Sequence, residues 1–201
     1  MSANNTYQQG IISRSEREAL INQSGATIWF TGISGSGKSS IAIELERALY
    51  KRGLLSYRLD GDNLRLGINK DLGFSAEDRS ENVRRVGEVS ALIGDLGAIV
   101  LSSLISPYQI DRDCVRALHK KRGIPFVEVF VDCSLEEAER RDPKGLYAKA
   151  RAKHIKNFTA VDHPYEAPAN PDLHLNTEML TLEQEIDTVV DYLVRKNTIP
   201  K

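Results

Sequence analysis

The sequence predicts an α/β fold: a parallel sheet with helices on both faces, plus a mobile lid. Three observations predict it. From Thr27 onward, short β-branched and aromatic runs alternate with amphipathic runs, as strands do when they return through crossover helices. The first such run ends at a glycine-rich loop that leads straight into a helical pattern. Polar residues stand at the C-terminal ends of the runs, which puts the chemistry at that edge of the sheet.

The elements follow in order. "SRSEREAL" begins with a capping box, Ser13 to Glu16, and predicts a short helix in a leader of residues 1–26, ahead of a main domain of 27–201. "TIWFT" (27–31) reads as a buried strand ending at Gly32. In "SSIAIELERALYKRG", Ile41, Leu45, Ala48 and Leu49 share one helical face, and Gly53 ends the run. Strand "SYRLD" (56–60) is followed by helix 82–97, closed by Gly97, and strand 98–104. Helix "DRDCVRALHKKRG", strand 125–132 and the short helix "LEEAERR" come next. A short strand, "LHL" (173–175), precedes a terminal helix with a Thr181/Gln184 capping box. Residues 142–171 interrupt the alternation, with four of the seven prolines around a basic segment. A stretch of that length inside a compact domain is usually functional, and the lid is placed at about 142–166.

Composition narrows the function. A net charge of -1 supplies no global field to draw the chain onto nucleic acid or an anionic membrane. No apolar run reaches spanning length, and "MSANNTYQQG" lacks the basic and apolar regions of a signal peptide. Cys114 and Cys133 form no ligand pattern and read as reduced thiols, so a cytoplasmic place is expected. The four histidines have no metal-ligand spacing and read as structural or solvated.

The strongest motif is Gly32-Ile33-Ser34-Gly35-Ser36-Gly37-Lys38-Ser39, which fits G-x-x-x-x-G-K-[ST] between a strand and a helix. Its glycines let backbone N–H groups turn toward a phosphate, and the helix N-terminus adds its dipole. Lys38 suits the β- and γ-phosphates of ATP, and the Ser39 hydroxyl suits Mg²⁺. A switch GTPase does not fit, because "NKDL" (69–72) has leucine where a guanine-reading aspartate belongs.

Other residues point to an acceptor. Asp60 and Asp62 are two apart, so an extended chain aims both carboxylates one way, to serve a metal or accept a proton. A plain Asp-Gly turn fits that spacing as well. Arg79, Arg84 and Arg85 form an anion site beside a helix start, or, for the last two, a solvated face. Phe74 is placed to stack a base or to plug a core edge. Ser106, before Pro107 at a strand end, is a phosphate contact, a nucleophile without a nearby histidine, or an ordinary Ser-Pro turn residue.

Together, "TGISGSGKS", "YRLDGDNLRLGINKDLGFSAEDRSENVRRV", "SLISPYQIDRD", "RDPKGLYAKAR" and "FTAVDHPYEAP" closely resemble the adenylyl-sulfate kinase family. The resemblance implies a P-loop kinase fold, a homodimer, and transfer of the γ-phosphate of MgATP to the 3′-hydroxyl of adenosine 5′-phosphosulfate. It implies acceptor contacts at Asp62, Asn63, Arg65, Phe74, Arg79, Asn82, Ile105, Ser106, Lys144 and Phe158. Lys38, Asp62 and Ser106 are the implied catalytic residues, and Ser39 and Asp62 the metal contacts. In this reading Arg65, Arg79 and Asn82 grip the phosphosulfate, Phe74 and Phe158 sandwich the adenine, and Lys144 comes with the closing lid. The family serine is described as a phosphoserine intermediate; in-line transfer favours Ser106 as a positioning hydroxyl. Gln109, Ala148 and Ala160 depart from the family pattern near the lid and are expected to alter affinity only. A kinase for another small hydroxyl compound and a silent nucleotide-binding regulator are the competing readings.

Overall fold

The computed structural model describes residue 8 and residues 10–200. Its centre is a five-stranded, all-parallel sheet of β1 (Ala26–Thr31), β2 (Ser56–Asp60), β3 (Ile99–Ser103), β4 (Phe126–Asp132) and β5 (Leu173–Asn176), in the order β2-β3-β1-β4-β5. β1 is buried along its whole length, as an inner strand covered on both faces must be.

Alternation along the strands divides the core. Ile28 and Phe30 of β1, Leu101 of β3 and Val129 of β4 pack with Ile41 and Leu45 of α2 (Lys38–Lys51) and with Val189 and Leu193 of α8 (Leu182–Arg195). On the other face Trp29 and Val100 meet Val83 and Val86 of α4 (Ala76–Asp95) and Val115 of α5 (Gln109–Arg122). The chain therefore carries helices on both sides of the sheet, as its sequence predicts.

Two local departures matter for the site. α4 begins at Ala76, six residues before the apolar periodicity does, because the Ser75 hydroxyl caps it by accepting from the Asp78 N–H. Asp60 does the same for the short helix α3 (Gly61–Arg65), accepting from the Asp62 N–H. The chain after β2 is thus helical, and the extended geometry expected to align Asp60 with Asp62 does not form.

The 142–166 segment has more structure than its prolines suggest. After α6 (Leu135–Arg141) the Asp142 carboxylate accepts from the N–H groups of Leu146, Tyr147 and Ala148, starting α7 (Leu146–Arg151). Tyr147, Ala150 and Phe158 then pack with Ile33, Cys133 and Ala138 in a third apolar cluster over the glycine loop. The leader helix α1 (Arg14–Ile21) lies at the opposite end of the sheet with its capping box formed. Arg14 donates to the Gly123 carbonyl, Arg17 pairs with Asp95, and the Gln23 amide bridges the Leu55 and Gly97 carbonyls. No helix among the described residues is long and apolar enough to cross a membrane.

Candidate active site

The strand order reverses at β1, and a cleft of about 1130 Å³ opens beyond the C-terminal ends of β1, β2 and β3. The glycine loop forms its floor. Gly32 runs so close to β4 that an added Cβ would sit 2.2 Å from the Val131 carbonyl oxygen. Gly37, at φ +106°, caps α2 in a conformation other residues adopt only with strain, leaving the first backbone N–H groups of a 14-residue helix open to an anion. Lys38 is buried, and its ammonium donates to the Ile33 carbonyl at 2.6 Å. Burial pulls its pKa down to about 8.

Ser39 points to Asp60. Its hydroxyl donates to Asp60 Oδ2 at 2.9 Å, and the Ser103 hydroxyl donates to the same oxygen at 3.2 Å. Burial pushes the Asp60 carboxyl up, but these bonds and the Asp62 and Asn63 N–H groups outweigh it and hold the pKa below the ordinary value. Asp62 stands one helical step away, exposed, and its carboxylate pairs with Lys144 of the 142–166 segment. The expected pairing of Ser39 with Asp62 is not what the geometry brings together; the strand-end Asp60 takes that place.

The far wall is basic and aromatic. Arg79 is buried, donating to the Phe74 and Asn157 carbonyls, and Arg65 donates to the Leu72 and Gly73 carbonyls. Burial lowers the pKa of both guanidiniums, which still remain charged at neutral pH. Both lie over the Phe74 ring, at 4.4 Å for Arg65 and 5.6 Å for Arg79. Asn82 Oδ1 accepts from the Asn69 amide at 2.9 Å. Phe158 lines the cleft from the third apolar cluster, set edge-on to Tyr147 at 5.0 Å. Its neighbour is therefore Tyr147, while the face of Phe74 already carries Arg65.

Ser106 and Ile105 close the cleft at the end of β3. Among the predicted contacts Gly32, Ile33, Ser36 and Asn63 do not line it, and Ile33 belongs to the apolar cluster with Tyr147 and Phe158. Arg84 and Arg85 turn away to Glu81 and Asp71, as a solvated face does. His154 stands exposed at the mouth, while His119 is buried against Thr27.

Residues 24–176 match the family model described as adenylylsulphate kinase. The adenylyl-sulfate kinase of Saccharomyces cerevisiae is 53% identical over 201 residues, covering 100% of this chain and 99% of its own. That of Penicillium chrysogenum is 51% identical over 207 residues, covering 100% and 98%. The solved APS kinase of Mycobacterium tuberculosis, in complex with AMPPNP and APS, superposes with a TM-score of 0.83 at 51% identity over 85% of this chain and 98% of that one. A gluconokinase from Sinorhizobium meliloti, 18% identical with a TM-score of 0.54, shares the fold alone. The chain belongs to the adenylylsulphate kinase family.

Proposed function

We propose that this chain transfers the γ-phosphate of ATP to the 3′-hydroxyl of adenosine 5′-phosphosulfate, giving 3′-phosphoadenylyl sulfate and ADP. One observation carries the reading: a single cleft of about 1130 Å³ joins the phosphate loop to the Arg65–Phe74–Arg79 wall. That volume exceeds the roughly 300–1,000 Å³ of an ordinary single-ligand pocket and suits two nucleotides meeting end to end. The mycobacterial relative solved with an ATP analogue and APS supports the same pair of ligands.

Each residue has a part. Lys38 and the N-terminus of α2 neutralise the transferring phosphate. Asp62 accepts the proton of the attacking hydroxyl, released from Lys144 as the acceptor enters. Arg65, Arg79 and Asn82 hold the phosphosulfate; Phe74 and Phe158 contact the adenine; Ile105 and Ser106 position the ribose end. The lid excludes water, whose attack would consume ATP without product.

The reading includes Mg²⁺, and the residues present fit it. Ser39, Asp60 and Ser103 offer only hard oxygen donors beside the phosphate loop, the set that magnesium prefers. Bound there with ATP, the ion would draw charge from the β- and γ-phosphate oxygens. Of the two acidic residues, Asp60 faces the metal hydroxyl Ser39 and Asp62 is left for the acceptor. A cytoplasmic homodimer completes the proposal.

The test is ADP release with adenosine 5′-phosphosulfate as sole acceptor. Turnover with that compound, and little with nucleoside monophosphates or gluconate, is the expected result. Equal rates with the other acceptors, or none with this one, would overturn it.

A further inference from the structure

Ser106 is held by more than its place in the sequence. It is the one cleft-lining residue other than glycine with a left-handed backbone, at φ +40°, among the described residues. Non-glycine residues occupy that region at a cost, and they persist there only where the surroundings enforce it. Two buried side chains supply the enforcement. Arg112, 1% exposed, donates from one terminal nitrogen to the Ser106 carbonyl at 2.7 Å, and from the other to the Gln109 side chain and the Glu166 carbonyl. Its remaining Nε donates to Glu128 at 2.9 Å, so four of the five N–H donors of the fork are committed. Trp29, fully buried in β1, donates its indole N–H to Ser106 Oγ at 3.1 Å.

The direction of that last bond is not ambiguous. An indole N–H only donates, so Ser106 Oγ accepts, and the hydroxyl proton stays free to point elsewhere. No carboxylate or imidazole among the described residues hydrogen-bonds Ser106 Oγ. A serine that accepts from an indole and lacks a base is a poor nucleophile and a well-aimed donor.

We propose that Trp29 and Arg112 are positioning residues that make Ser106 a fixed hydrogen-bond donor into the cleft: Arg112 sets the backbone and Trp29 orients the hydroxyl. This rests on the reading of Ser106 as an acceptor contact. It assigns work to two residues that never touch the substrate, one on β1 and one on α5, and it leaves no part for a covalent phosphoserine.

The experiment is a double-mutant cycle with a spectroscopic arm. Trp29→Phe keeps an aromatic ring and removes the N–H; Ser106→Ala removes the hydroxyl; Arg112→Lys keeps a charge for Glu128 but not the fork. Each should lower kcat/KM for adenosine 5′-phosphosulfate by about five- to fifty-fold, the range of one lost positioned hydrogen bond, with KM for ATP unchanged. The Trp29→Phe/Ser106→Ala double variant should be no slower than Ser106→Ala alone. Because Trp29 is the only tryptophan, its ultraviolet Raman indole N–H band reports the bond directly, and Ser106→Ala should shift it. Losses that multiply, or a band that ignores Ser106→Ala, overturn the proposal, and the band decides even if Trp29→Phe does not fold. Wild-type kcat/KM in Ser106→Ala instead sinks the acceptor-contact reading beneath it.

Discussion

In the proposed reaction Asp62 and Lys38 divide the chemistry between an exposed carboxylate and a buried ammonium. Asp62→Asn should lower kcat by about 10²–10⁴-fold, the usual contribution of a positioned base, while leaving ATP binding measurable by calorimetry. Near-normal turnover would remove Asp62 from that part. Lys38 yields a proton-linkage prediction. Its pKa of about 8 should climb again when phosphates arrive, so ATP binding near pH 8 should take up roughly half a proton. Calorimetry in two buffers of different ionisation heat measures this, and Lys38→Met should show no such uptake. Lys38 is legible in the sequence because its motif is local and contiguous. The place of Asp60 is less so: its bonds to Ser39 and Ser103 join the ends of β2 and β3 to the start of α2, which only the sheet order brings together. The Arg112 contacts, scattered over residues 106, 109, 128 and 166, leave no local signature at all.

Elements were predicted where burial follows a period and missed where hydrogen bonds replace it. The five strands read clearly because both faces of the sheet are covered, whereas α3 and α7 are held by the carboxylates of Asp60 and Asp142 and carry little apolar pattern. α5 depends on a different kind of contact. His119 is buried with its ring nitrogens at 2.8 Å from the Val115 carbonyl and 2.9 Å from the Thr27 hydroxyl, tying the helix to β1. Burial lowers its pKa below 6.5, with Arg122 acting in the same direction against Glu88. The unfolded chain therefore binds this proton more readily than the folded one, and stability should fall as pH drops through and below 6.5. The melting temperature of His119→Gln should decline less steeply between pH 7.5 and pH 5, at roughly the unfolded histidine range. An identical slope would mean that other groups carry the acid sensitivity.

At the scale of the whole molecule, one end of the sheet opens into the cleft and the other is stitched shut by α1 and Gln23. The 142–166 segment is joined to the cleft end both by its apolar cluster with Ile33 and by the Tyr147 hydroxyl, which donates to the Ser34 carbonyl. Lys144→Met removes that segment's link to Asp62. It should raise ADP release without acceptor relative to release with it, a ratio read by running the same assay twice. An unchanged ratio would separate Lys144 from water exclusion. The leader meets the molecule elsewhere, at the residues preceding β2, β3 and β4. A dye or tether placed on α1 itself would sit at this end of the sheet, opposite the cleft. Cutting that strap at Gly25 should cost melting temperature while sparing both Michaelis constants.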